Sequence, residues 1–292
     1  MADQTLALLE TAHRRFVDDL KAKGRATATI LAYGKDIDQF VTYLKNHQKT
    51  LVTQVVPQDI EDFKQKLLAD QYTPKSVSRK LNSIKTFFRF LKAEGVIDKS
   101  PAEKIKHPKY QPKQPRILSK LEYRALRDVC RDDVRIAAIV EVLLQTGLRI
   151  SELANLNLDD IKNNKLIVRP YESRPGREVP LNKAAQAALN RYLAVRPKTR
   201  TKKLFVTKSG KPFLVRNIRN AIKRYFKLAD IQDATVNDLR NTFIAHQLKA
   251  GTPLIVVSKL VGHKRLTTTE KYLKAIQSRK TNPLPSNEPQ EL

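Results

Sequence analysis

The 292-residue chain has one cysteine, one methionine and no tryptophan. A lone thiol, Cys130, can form neither an internal disulfide nor a cysteine-based zinc site, and it fits a reducing cytoplasm. Glycine is scarce at eight residues, and no Gly-rich loop is present to cradle a nucleotide phosphate. His-Glu-x-x-His and Gly-x-Ser-x-Gly are missing too, and the five histidines are scattered, which argues against a metal cluster. No apolar run approaches the ~18 residues of a membrane-spanning helix. The N-terminus, with Asp3, lacks the apolar stretch of a signal peptide. Acid is also in short supply. Fifty-six Lys and Arg stand against twenty-nine Asp and Glu, a formal net charge of +27.

An excess of that size draws polyanions, nucleic acid first. The 41% hydrophobic content supports a packed core rather than a disordered basic tail. The length suggests about two domains. The charge is uneven. Residues 1–110 carry a net +7 and residues 111–292 a net +20. From Val179 to Ala229 there are fourteen basic residues and no acid. From Gln71 to Ala93 there are six, Lys75, Arg79, Lys80, Lys85, Arg89 and Lys92, again with no acid. These acid-free stretches are read as DNA-binding, by contact with phosphates, with the strong salt dependence of counterion release.

The first hundred residues read as helices. Thr27 to about His47 places Ile30, Tyr33, Ile37, Phe40, Val41 and Leu44 at helical spacing. Pro57 opens a second helix. Thr73-Pro74 opens another, with an inward stripe at Val77, Leu81, Ile84, Phe88 and Leu91, and Gly95 ends it. Four prolines between Pro101 and Pro115 favour an extended linker. The expected division is a helical DNA-binding domain over 1–108, a linker over 109–116, a second domain over 117–277 and a tail over 278–292. Ser119 and Glu122 form a capping box. Lys165–Arg169 and Glu178–Leu181 read as paired strands of a hairpin or small sheet edge, followed by helices near 183–195, 215–229, 237–250, 253–261 and 267–275. The fold class expected is mainly α with a small β-sheet.

Three segments stand out: Leu144-Gln-Thr-Gly-Leu-Arg-Ile-Ser-Glu-Leu153, Val236-Asn-Asp-Leu-Arg-Asn-Thr-Phe243 and Leu260-Val-Gly-His-Lys-Arg-Leu-Thr-Thr-Thr-Glu-Lys-Tyr272. Each alone has an ordinary explanation in capping or core packing. In this order and spacing they resemble the tyrosine recombinase (phage integrase) family, in particular its Xer-like bacterial members, over nearly the whole chain. The resemblance implies a SAM-like core-binding domain followed by a mixed α+β catalytic domain. It implies that Arg149 and Arg240 hold the scissile phosphate, that His263 bonds it and assists proton transfer, and that Tyr272 is the nucleophile of a 3′-phosphotyrosyl intermediate. Glu152 matches an acid that orients the site.

Two positions depart from the family pattern. Asn237 stands where the family has a histidine; it can donate a hydrogen bond but cannot shuttle a proton. Glu172 falls where the family has the hairpin lysine that protonates the leaving 5′-oxygen. Arg174 is the nearest cation to that slot, with Lys165 or Arg169 as alternatives from the strand. The resemblance further implies double-stranded DNA with an inverted-repeat core site, a homotetramer with a Holliday-junction intermediate, and no cofactor, metal or membrane. A paralogous recombinase or accessory protein would be a further partner, and the setting would be the bacterial cytoplasm and nucleoid. The tail over 278–292 is either exchanged between subunits, as the resemblance implies, or without regular structure, as its polar, Pro-containing sequence allows. Chromosome or plasmid dimer resolution, cointegrate resolution and element integration or excision all remain open, and the rival reading is a cleavage-deficient DNA-binding accessory protein of the same fold.

Overall fold

A computed structural model describes residues 7–171 and 174–281, the last four through their backbone. Contacts divide the chain between Pro112 and Lys113 into two compact units. In the first, helices α1 (Leu9–Ala22), α2 (Thr27–Asn46), α3 (Pro57–Ala69) and α4 (Pro74–Ala93) surround one apolar core. Pro57 and Pro74 occupy first-turn positions, where the missing N–H costs nothing. Thr73 caps α4 by accepting from the Ser76 amide at 3.3 Å. The five stripe residues of α4 are all fully buried. Phe87 and Phe90 are buried as well, because α1, α2 and α3 all pack on α4. Phe16 meets Phe87 edge-on at 5.4 Å, and Phe40 lies 5.1 Å from Phe63.

A polar knot sits within this unit. Asp36, 2% exposed, accepts from Arg79, from Lys80 at 3.1 Å and from Ser83 at 2.8 Å. Lys80 also donates to Gln39 at 2.6 Å. This corrects the reading of Lys80 as a phosphate contact: at 6% exposure it is buried. A carboxylate as deep as Asp36 is costly to bury without such partners. Lys75, Arg79, Arg89 and Lys92 remain exposed and Lys85 half-buried.

The second unit contains α5 (Lys120–Val129), α6 (Val134–Thr146), α7 (Ile150–Asn155), strands β1 (Ile161–Lys162), β2 (Lys165–Val168) and β3 (Arg177–Pro180), then α8 (Lys183–Val195), α9 (Val215–Leu228), α10 (Val236–Lys249), α11 (Leu254–Val261) and α12 (Thr267–Thr281). The Ser119–Glu122 capping box forms as read, with amide-to-side-chain bonds of 3.2 and 2.7 Å. Apolar α6 is central, packed on α8 and α10. The sheet is antiparallel in the order β1-β2-β3 with Leu166 opposite Val179, so the expected hairpin gains a short third strand. Helix α12 outruns its expected end near 275, because Ala275 and Ile276 bury against Ile117 and Ala245. Glu172 and residues 282–292 of the expected exchanged tail lie outside the described residues. Among the described residues no helix is long and apolar enough to cross a membrane.

Candidate active site

The site is assembled at the end of α11. Helix α6 stops at Gly147, which is left-handed at φ +60°. A Cβ there would lie 2.4 Å from the Phe243 ring, so glycine is required twice over. The resulting turn delivers Arg149 to the N-cap of α7. Its guanidinium donates to the carbonyls of Val261 at 3.1 Å and Gly262 at 2.9 Å. Arg240, on α10 and 7% exposed, donates to the same Val261 carbonyl at 2.6 Å and to that of Gly147. Arg177 from β3 donates through Nε to the Leu260 carbonyl at 2.6 Å. Three guanidiniums thus meet the last carbonyls of α11, the negative end of its dipole.

One buried carboxylate balances them. Glu152, 5% exposed, accepts a bidentate pair from Arg177 at 3.0 and 2.8 Å, the Arg149 amide at 2.9 Å and the Arg149 guanidinium at 3.0 Å. Burial disfavours its charge, but these donors outweigh burial and hold its pKa down to about 2. Burial and the neighbouring Arg149 press Arg240 down to about 9, still protonated at neutral pH. A guanidinium has five N–H donors. The bonds above take three from Arg149 and two from Arg240, leaving the others for an oxyanion.

His263 follows left-handed Gly262, whose own Cβ would crowd Arg177 at 3.0 Å. Its Nδ1 is 2.8 Å from the hydroxyl of fully buried Thr269. Tyr272, 8% exposed, lies beside it with ring centroids 6.2 Å apart at 18°. Its hydroxyl donates to Asn241 Oδ1 at 2.7 Å. Burial raises the phenol pKa, while Arg240 and Arg149 pull it back. Arg149, Glu152, Arg240, His263 and Tyr272, read from three separate segments, are therefore brought together. Asn237 is exposed and lines a neighbouring cavity with Arg219, Lys223 and Thr235. Among the hairpin cations, Lys165 pairs with Glu178 at 2.9 Å and Arg169 with buried Asp160 at 2.6 Å. Arg174 bridges back to Tyr171, and its charge acts on both Arg149 and His263. Among the described residues no group of three or more His, Cys, Asp or Glu is placed to hold a metal.

Sequence reasoning missed Arg177, Thr269 and Asn241. For Arg177 the signal existed: in Arg-Glu-Val-Pro the period of two puts Arg177 on the face of buried Val179. Within the acid-free Val179–Ala229 stretch, the structure puts Arg216, Arg219, Lys223 and Lys227 on the solvent face of α9, where all four are exposed. In the first unit Lys85, Arg89 and Lys92 line a cavity of about 300 Å³ with Ser100 and Glu103.

The half-buried His263 makes stability depend on acid. Burial, then Arg240, Arg149, Arg177 and Arg174, push His263 down to about 4 from 6.5. Because its folded pKa is below the unfolded one, the unfolded chain takes up the proton first. Stability is complete above pH 6.5 and declines as pH falls towards 4, by about 3 kcal/mol at most. Glu152 extends the decline from 4.5 towards 2. Thermal melts between pH 7 and 4.5 should show a falling Tm in the wild type, and a flatter curve in His263→Gln.

Residues 116–279 match the Phage integrase family, and residues 14–95 match the Phage integrase N-terminal SAM-like domain. Tyrosine recombinase XerC of Roseiflexus castenholzii is 31% identical over 257 residues, covering 84% of this chain and 82% of the relative. Tyrosine recombinase XerD of Rickettsia bellii is 31% identical over 266 residues, covering 84% and 87%. A crystal structure of XerA recombinase, 26% identical, superposes with a TM-score of 0.53 over 94% of this chain and 99% of that one. A lambda integrase tetramer bound to a Holliday junction shares the fold at 16% identity, with a TM-score of 0.76 over 89% of this chain and 78% of that one. With both parts of the chain matched and its three motif segments gathered into one cationic site, the chain belongs to the phage integrase family and is a tyrosine site-specific recombinase.

Proposed function

We propose that this recombinase cuts double-stranded DNA through Tyr272 and exchanges strands between two inverted-repeat core sites as a homotetramer, by way of a Holliday junction. The observation that carries the reading is the convergence of Arg149, Arg240, His263 and Tyr272 around the carbonyls of Val261 and Gly262. The remaining donors of Arg149 and Arg240 take the non-bridging oxygens of the scissile phosphate and stabilise the pentavalent transition state. The Tyr272 oxygen bonds to phosphorus as the bond to the 5′-oxygen breaks. The phenol gives up its proton, with His263 beside it as acceptor, and the departing 5′-oxygen takes one up from solvent water to leave as a hydroxyl. The phosphotyrosyl bond conserves the energy of the broken phosphodiester, so resealing needs no nucleotide. Charge from Arg174 stabilises the leaving oxygen without supplying its proton, since arginine stays protonated. The relatives' DNA-bound assemblies support the tetramer and the duplex substrate. A paralogous partner fits the same scheme.

The deciding experiment uses labelled duplexes nicked near candidate inverted repeats, which trap cleavage. Wild-type protein should carry label through a denaturing gel, and Tyr272→Phe should carry none. Specific binding by both proteins with no adduct from either would leave the accessory-protein reading in place. Contact with the duplex is assigned to the exposed face of α9 and to Lys85, Arg89 and Lys92. Arg219→Ala with Lys223→Ala should weaken binding across all sequences and lower the slope of log K against log salt by about 2. Filter binding between 50 and 200 mM salt reads this, and an unchanged slope would remove α9 from the interface.

A further inference from the structure

The hydrogen bond from Tyr272 to Asn241 is not part of the chemistry described above. Asp238, 6% exposed, accepts the Thr235 amide at 2.7 Å and its hydroxyl at 2.9 Å through one oxygen, and the Asn241 amide nitrogen at 3.0 Å through the other. A carboxylate accepts only, so the Asn241 side-chain NH₂ must face Asp238 and its carbonyl must face Tyr272. The Asn241 oxygen is itself an acceptor, so the phenol can meet it only while it keeps its proton. His263, by contrast, lies alongside the Tyr272 ring with near-parallel planes.

Resting on the assignment of Tyr272 as nucleophile, we propose that Asn241 is a positioning residue that restrains it, holding the phenol protonated and docked on α10 until a phosphate engages Arg149 and Arg240. The physical argument is differential binding. The contact exists in the ground state and is lost once the oxygen gives up its proton to bond phosphorus, so it raises the barrier instead of lowering it. The chain Thr235–Asp238–Asn241 keeps the acceptor fixed, so the brake does not relax by rotation of the amide. Before DNA arrives, this slows attack of the nucleophile on adventitious phosphates.

Asn241→Leu, and Asn241→Ala as a smaller second variant, remove the acceptor at the phenol. Each should raise single-turnover adduct formation on the nicked duplex about three- to tenfold, the worth of one net hydrogen bond, with DNA affinity unchanged. A structural role alone would not move the second readout, the ¹³Cζ signal of Tyr272 in the DNA-free protein, identified among nine tyrosines by Tyr272→Phe. In Asn241→Leu this signal should shift and titrate at lower pH. The charges facing the phenol remain in place: Arg240 and Asp238 from α10, Arg149 from α7, and His263. A wild-type protein that forms no adduct would sink the nucleophile assignment. A Tyr272 signal unmoved in both variants, or adduct formation equal to or slower than wild type, would sink the restraint.

Discussion

Arg240→Ala should reduce single-turnover adduct formation by ~10³-fold, the scale on which a preorganised donor to a transferring phosphoryl group acts. The site explains why so much rests on one side chain. Arg240 is nearly buried, its planar group is pinned by the Gly147 and Val261 carbonyls, and its other donors are already aimed when the phosphate arrives. Removing it also strands the Gly147 carbonyl, while that of Val261 keeps Arg149, so alanine should lower Tm as well. Arg240→Lys separates the two effects. It keeps the charge but cannot bridge two carbonyls and two phosphate oxygens, and a loss of ~10²-fold is expected with a smaller Tm change. A lysine variant that cleaves at the wild-type rate would show that charge alone suffices and that the fork does not matter.

Glu172→Lys should do the opposite and raise cleavage by ~10²-fold, the lower range for a positioned general acid. On the proposed reading the hairpin offers Arg174, which stabilises a departing alkoxide but does not donate its proton. A lysine in the slot where the family carries one would supply both charge and proton, and the substitution removes a carboxylate from the sequence there. The check is a substrate with sulfur in place of the bridging 5′-oxygen, because a thiolate leaves without protonation. Wild type should speed up markedly on this substrate, and Glu172→Lys should gain little further. Equal gains for both proteins would mean that the lysine acts as a charge, not as an acid.

Much of the fold was legible because the apolar stripes were clean. Val77, Leu81, Ile84, Phe88 and Leu91 mark one face of α4 without ambiguity, and Gly95 follows at φ +71°. Strand β1 was missed because two residues, Ile161 and Lys162, carry no period. The length of α12 was missed because its last turns are held by Ile117 and Ala245, far away in sequence. Within the site, the residues that converge there were legible through motif spacing. Their supports were not: nothing local distinguishes Asn241 from any polar helix residue, or reveals that Lys80 is drawn inward by Asp36, forty-four positions earlier. Long-range electrostatic pairing leaves no mark on local sequence.

Leu260, Val261 and Gly262 hold the arginines through backbone oxygens, and His263 and Tyr272 follow on the same short run of chain. The electrophile's grip and the attacking group are therefore mechanically one lever. A displacement of this run would loosen its hold on the three guanidiniums and move the tyrosine with it, so that the grip on phosphate and the attacking oxygen are engaged or withdrawn together.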